Sequence, residues 1–384
     1  MNPTRLQTNT VARFACMGGD CPDTCCQGWG MQLTQETLAK YREQAPELVE
    51  AVTSGEAELI MRRDPVTDQC VKLDTGWCSI HRDYGDAFLG DACHFYPRIT
   101  RALGTTVLTT AALSCPKTAH DMLYMSDGLA NAPREEIRVP YSLKNYLPAQ
   151  MTEAAALSVH EAFLAMAADE AANAERCMLR ISAVARALEL QPATAWPEAV
   201  GFYVSIADGR IAAAEHSPQD MFNLVHALQG LVMASPAPRK RLTDIVQTMA
   251  EALGMRFEQG GTVQLQPDAM ERALAVMARA KEPMQGLQPV LKRYIQAQLS
   301  QALFPFSGFG QTLTERVSVI GVRLATVKLA LATTADMISP DRVVHVIQVL
   351  SRFMDHLADP TLTLRIYQET GWIREARLRA LIGS

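Results

Sequence analysis

No stretch of this sequence approaches the roughly 18 uncharged apolar residues of a membrane-spanning helix. Residues 1–20, which include Arg5 and Arg13, contain no apolar run of signal-peptide length. Both absences predict a cytoplasmic protein without a membrane partner. An excess of basic charge is missing as well. The net charge is −5 and the pI is near 5.9, so no global positive field draws in nucleic acid. The one tight basic run, Arg239-Lys240-Arg241, reads as a solvated helix start.

Common catalytic and cofactor fingerprints are also absent. The sequence has no G-x-G-x-x-G after a strand, no G-x-x-x-x-G-K-[ST], no G-x-S-x-G and no H-E-x-x-H. A Rossmann site, a P-loop, a hydrolase nucleophile elbow and a zincin helix therefore do not announce themselves. There is no internal repeat and no low-complexity tract.

Cysteine is what the sequence has, and it is crowded. Eight of the nine cysteines fall within the first 115 residues. Cys16, Cys21, Cys25 and Cys26 form a C-x4-C-x3-C-C run, and Cys70, Cys78, Cys93 and Cys115 follow at intervals that require the chain to fold back on itself. In a reducing cytosol, clustered thiols are more often metal ligands or redox groups than disulfides. Paired C-x2-C knuckles, the mark of structural zinc, are missing, which places iron–sulfur ahead of zinc. Eight thiols exceed the four that one cluster takes, so either two sites exist or some cysteines are spare. Neighbouring residues of an extended chain point to opposite sides, so Cys25 and Cys26 are not expected to serve one iron in the same way. Cys177 differs: with Ile181, Val184 and Leu188 it lies on an apolar helical stripe and reads as a small core hydrophobe.

Composition changes near residue 140. The expected fold is mainly α, with a small cysteine-rich metal-binding N-terminal subdomain of short strands followed by a helical domain. Its parts are residues 1–132 (the iron–sulfur or metal-binding domain), 133–150 (a linker spanning Glu135 to Pro148, with prolines at 133, 140 and 148) and 151–384 (helical). Thr105 to Thr109, after the Gly104 turn, reads as a strand. Leu287, Val290, Leu291, Tyr294, Ile295 and Leu299 follow helical spacing, as do Leu313, Val317, Ile320, Leu324, Val327 and Leu331.

In the last long helical segment, Val343, Ile347, Leu350, Met354 and Leu357 form one face. His345, Arg352 and His356 gather within about 40° on the opposite one. That polar stripe is either a solvated face or a face turned toward the cysteine subdomain, where it would orient a substrate carboxylate or amine. The two histidines lie about 16 Å apart along the axis, too far to share a metal. Phe304-Pro305-Phe306-Ser307-Gly308-Phe309-Gly310 reads as a hydrophobic plug or as an aromatic wall for a cation.

The cysteine order, taken with Gln69-Cys70-Val71-Lys72-Leu73, Trp77-Cys78-Ser79-Ile80-His81, Cys93-His94-Phe95-Tyr96-Pro97-Arg98 and Leu113-Ser114-Cys115-Pro116, resembles the cysteine-cluster family of zinc- or iron-chelating proteins. More narrowly it resembles that family's flagellin lysine-N-methylase branch. Lys292-Arg293-Tyr294 leading to Leu303-Phe304-Pro305-Phe306, and His345 through Ser351-Arg352 to His356, extend the likeness. The resemblance implies an S-adenosylmethionine-dependent protein-lysine N-methyltransferase acting on flagellin, with a [4Fe-4S] cluster on the N-terminal cysteines. The C-x3-C-x2-C run of radical enzymes that use the same donor is absent. Methylation needs a neutral amine aligned with the methyl group and sulfur. Tyr96, beside Cys93, is the candidate base, and Arg352 the second candidate catalytic residue. Two other functions fit the residues: a metal-chelating or electron-transfer protein, and a zinc-stiffened helical adaptor.

Overall fold

The strand expected after Gly104 forms one arm of a hairpin. Arg98–Leu103 pairs antiparallel with Thr106–Ala111. The two-residue turn between them takes positive φ at its first position, which glycine adopts without strain (Gly104, φ +65°). Arg5–Thr8 lies parallel to Thr106–Ala111, and Asn131–Pro133 closes the far edge antiparallel to it, giving a four-stranded sheet. This sheet joins the beginning and the end of the cysteine-bearing region. A computed structural model describes residues 4–54, 59–133, 143–211, 217–234, 240–258, 262–355 and 360–383. Residues 134–142 of the expected linker, Arg239, His356 and Leu357 lie outside the described residues. In the described part of the expected linker, the Tyr146 N–H donates to the Ala102 carbonyl at 2.8 Å.

Two smaller β elements shape the cysteine loops. Gln32–Leu33, Leu59–Met61 and Val52–Ser54 form a three-stranded sheet. Leu73–Asp74 and Trp77–Cys78 form a hairpin whose turn residues, Thr75 and Gly76, both have positive φ. A small core of Met31, Tyr41, Leu48, Met61 and Ile80 underlies this region, and Cys70 is buried within it.

The remainder is mainly helical. Leu313–Ala332 is the central helix, and it starts with a reciprocal capping box between Thr312 and Glu315. Both apolar stripes expected from the sequence are buried. Here burial extends past one stripe, since every residue from Val317 to Leu331 is buried. Helices Ala174–Glu189, Ala269–Gly286, Gln288–Ala302, Pro340–Asp355 and Glu375–Gly383 surround it. Its two buried cations are paired, as the cost of desolvating a charge requires. Arg323 meets Asp355 at 2.8 Å and Lys328 meets Glu175 at 2.9 Å. Val11, Leu103, Leu113, Met122 and Leu123 join the same apolar core as these helices. No helix among the described residues is long and apolar enough to cross a membrane.

Candidate functional site

All nine cysteines carry free thiols. The fold sorts the eight N-terminal ones into two neighbourhoods. In the first, the Cys26 thiol is within hydrogen-bond reach of those of Cys25 and Cys78, and Cys93 feels the charges of Cys26, Cys78 and Cys70. Backbone pairing builds the group: the Cys70 N–H donates to the Cys26 carbonyl at 2.8 Å, and the Thr75-Gly76 hairpin presents Cys78. The second neighbourhood joins Cys16 to Cys21 and Cys21 to Cys115. Cys25 and Cys26 sit in a turn, so the alternation of an extended chain does not apply and their thiols meet. Cys177 stands apart, buried in the helical core beside the Asp169 carbonyl.

Six of these thiols, those of Cys21, Cys26, Cys70, Cys78, Cys93 and Cys115, are held above the ordinary cysteine value. The neighbouring Cys25 thiol pushes Cys26 up to about 12, with burial adding to the effect. Cys78 is raised by its bond to Cys26 and by burial, and Cys93 first by burial. Burial also raises Cys21, Cys70 and Cys115. Gathered thiols that cannot ionise beside one another suit a cation that neutralises them together. Among the described residues, no three or more His, Cys, Asp or Glu side chains converge as the ligands of a single metal ion do.

The described part of the polar stripe, His345 and Arg352 on helix Pro340–Asp355, lies toward the cysteine loops, so the solvated reading does not hold for Arg352. Arg352 forms a 2.8 Å ion pair with Asp23 and donates to the Gln27 carbonyl. Gln348, one turn earlier, donates to Asp23 at 2.8 Å and to the Ser114 carbonyl at 2.9 Å. Half-buried His345 is lowered by burial first, then by Arg342 and Arg241. Arg241 reaches Asp23 at 3.0 Å, so the basic run at the start of its helix is more than a solvated end. Arg352 therefore grips the segment between Cys21 and Cys26. The Trp77 indole lies on Gly18 and Gly19, where any side chain would collide with it, and this ties the Cys16–Cys21 loop to the Cys78 hairpin.

A cavity of about 490 Å³ opens between the cysteine-bearing part and the helices. Trp29, Phe95 and Tyr96 line one side, and Phe309 the other. Trp29 links cavity and cysteines: its indole N–H donates to the Cys25 carbonyl at 2.5 Å and its ring lies 5.6 Å from that of Tyr96. The Phe304–Gly310 segment divides between the two expected roles. Phe309 forms cavity wall, whereas Phe304 is fully buried edge-on against Phe163 with ring centroids 4.8 Å apart and Phe306 plugs the core against Trp196 at 6.0 Å. Helix Gln288–Ala302 ends at Leu303 in a left-handed conformation (φ +45°), which turns the chain into this wall.

Tyr96, the candidate base, lies on the cavity wall. Burial first, then the charge of Cys115, raises its phenol well above the ordinary value, so the proton stays on. Its hydroxyl is 3.3 Å from Ser114 Oγ. Sequence reasoning missed Asp23, Gln298, Arg323 and Asp355. Only Arg323 left a signal, as a charge inside an otherwise apolar helical run. Four guanidinium groups, Arg98, Arg101, Arg316 and Arg323, line the cavity with one carboxylate, Asp355. Burial lowers Arg101 and Arg316. A larger space of about 890 Å³ lies among the helices, and its wall is mostly aliphatic. The smaller cavity is the better candidate site because it adjoins the cysteines.

No family model matches the chain, and no solved structure matches it. Three curated proteins do. A lysine-N-methylase of Salmonella typhimurium is 24% identical over 150 residues, covering 36% of this chain and 37% of that protein. A lysine-N-methylase of Salmonella choleraesuis is 23% identical over 150 residues, with the same coverage. The flagellar biosynthetic protein FliU of Salmonella muenchen is 23% identical over 146 residues, covering 35% of this chain and 86% of that protein. The chain thus spans little more than a third of the length of the two methylases. It is a distant, partial homologue of the Salmonella lysine-N-methylases and FliU.

Proposed function

We propose that the protein transfers methyl groups from S-adenosylmethionine to lysine side chains of flagellin, and that its N-terminal cysteines hold a [4Fe-4S] cluster. The similarity to the lysine-N-methylases carries this reading. The aromatic cavity beside the cysteines supports it.

The residues present suit the cluster. Thiols of Cys26, Cys70, Cys78 and Cys93 gather over a small apolar core without a disulfide. Four thiols are the number that one such cluster takes. When bound, such a cluster would neutralise the thiolates and stabilise the loops that form one wall of the cavity.

The chain's own residues meet the demands of methyl transfer. The reaction forms a nitrogen–carbon bond as the carbon–sulfur bond breaks; the sulfonium leaves as a neutral thioether and the nitrogen sheds a proton to water. Only an uncharged amine has the lone pair this requires. Arg98 and Arg101 donate to the neutral His94 and Gln301 carbonyls, so these bonds do not cancel their charges. A cationic, partly desolvated wall lowers the pKa of an arriving ammonium and favours its neutral form. No general base is required at the wall if water takes the proton. The aromatic faces of Trp29, Tyr96 and Phe309 suit a sulfonium and exclude water from the amine.

The test is anaerobic incubation of purified protein with S-adenosylmethionine and flagellin from the same organism. Intact-mass spectra should show flagellin gaining single-methyl increments on surface lysines. Unchanged spectra from protein that retains its iron would count against the assignment.

A further inference from the structure

We propose that the floor of the 490 Å³ cavity is the recognition site for the zwitterionic amino-acid head of the methyl donor, with Gln298 and Asp355 as its binding residues on either side of Arg323; this rests on the methyltransferase reading above. Arg323 Nη1 donates to Gln298 Oε1 at 2.8 Å and forms an ion pair with Asp355 Oδ1 at 2.8 Å, and its Nη2 donates to the Met354 carbonyl at 2.8 Å. The trio is rigidly joined, yet hydrogen-bonding capacity is left over at both ends. Among the described residues, Gln298 Nε2 and Asp355 Oδ2 are buried and have no hydrogen-bond partner.

Native proteins leave few buried polar atoms unpaired, because each forfeits its hydration without return. Here one unused donor and one unused acceptor flank a single arginine at the floor of a cavity. An α-amino acid head offers the complement, a carboxylate to accept from Gln298 and an ammonium to donate to Asp355. A lysine within a protein chain offers only the ammonium, so the paired groups favour the methyl donor over the peptide. Both atoms are shielded from solvent, so reaching them takes a rotamer change, for which the head group would supply the missing hydrogen bonds. The aromatic wall, with Phe309 stacked 5.0 Å from the Arg323 guanidinium, leaves an apolar surface for the rest of the donor.

Calorimetric titration of the full, iron-loaded chain under anaerobic conditions tests this with two probes. S-adenosylhomocysteine has the amino-acid head; 5′-methylthioadenosine lacks it. Asp355→Asn and Gln298→Leu should each weaken S-adenosylhomocysteine by about tenfold or more, the loss of roughly one charge-assisted hydrogen bond. Both should leave 5′-methylthioadenosine within about twofold of the unsubstituted protein. Equal losses for both probes would mean a distorted cavity and would overturn the assignment, as would unchanged binding of S-adenosylhomocysteine. If the unsubstituted protein bound neither probe, the methyl-donor reading itself would fail along with the site. Iron content measured on each variant separates misfolding from a lost contact.

Discussion

Arg352 and Asp23, from opposite ends of the chain, form a 2.8 Å ion pair in which the arginine and aspartate side chains are only 16% and 14% exposed. Through it, helix Pro340–Asp355 holds the loop that carries Cys21, Cys25 and Cys26. The sequence alone left two readings of Arg352, a solvated face or a contact with substrate. Its contacts make it a positioning residue for the cysteine loop.

Replacing Arg352 with alanine should therefore loosen that loop, at a cost of about 2–3 kcal/mol, and should lower retained iron as well as activity. Asp23→Ala should cost more, because Arg241 and Gln348 lose the same carboxylate. Adding Arg352→Ala to it should change little further, since the pair is already broken. Thermal unfolding and iron per chain, measured on both single variants and the double, check this. Arg352→Ala with full iron but no activity would restore a direct role on substrate.

The helical part was legible because apolar spacing is local. The Leu287–Leu299 and Leu313–Leu331 stripes and the Cys177 face could be read without knowing what they meet. The Gly104 hairpin was legible for the same reason. The cavity was not, because its walls come from residues 29, 96, 309 and 355, and no local pattern states that these converge. Asp23 was equally silent, since a lone aspartate in a cysteine loop looks like any solvated turn residue. Helical periodicity placed Arg352 opposite its helix's own core, but only the tertiary fold decides whether that side meets water or the cysteine loops. The turn at Cys25 and Cys26 was not legible either, because nothing in two adjacent cysteines states whether the chain there is extended.

The division of the thiols predicts how metal is lost. Protein prepared without oxygen should be brown, with iron and acid-labile sulfide in about equal amounts. Cys78→Ala and Cys93→Ala remove members of the group around Cys26 and should strip iron and reduce soluble yield, because the remaining thiolates lose their shared cation. Cys21→Ala should also lower iron, through the loop that Arg352 holds. Cys177→Ala should keep the metal at a packing cost of about 1 kcal/mol. Colourless protein with stoichiometric zinc, or iron loss on Cys177→Ala equal to the others, would contradict this arrangement.

His160 ties acid stability to the cavity wall. It is fully buried, and its Nδ1–H donates to the Phe304 carbonyl at 2.7 Å, since a carbonyl can only accept. Burial lowers its folded-state pKa below the unfolded value of about 6.5. The unfolded chain therefore takes up the proton first as pH falls, so this contribution is complete above about pH 6.5 and is lost progressively below it. Thermal unfolding between about pH 8 and pH 5 should show the decline. His160→Gln should be less stable at the alkaline end, and the gap should narrow toward the acid end. A gap that stays constant with pH would show that His160 titrates alike in both states.

Tyr96 separates positioning from proton transfer at the cavity. Because its phenol is held well above the ordinary range, a tyrosinate is not available near neutrality to take a proton from the substrate amine. Tyr96→Phe keeps the ring that faces Trp29 and gives up the hydroxyl contact with Ser114, which at 3.3 Å is a long hydrogen bond of modest value. The variant should retain methyl transfer within about threefold and show the same pH–rate profile, whereas loss of a true general base commonly costs about 10²–10⁴-fold. Tyr96→Ala removes the wall itself and should raise the KM for the methyl donor more than it lowers kcat, since binding surface is lost without a change in proton chemistry. A Tyr96→Phe rate reduced a hundredfold, with the alkaline rise of the profile gone, would return the tyrosine to the role of base.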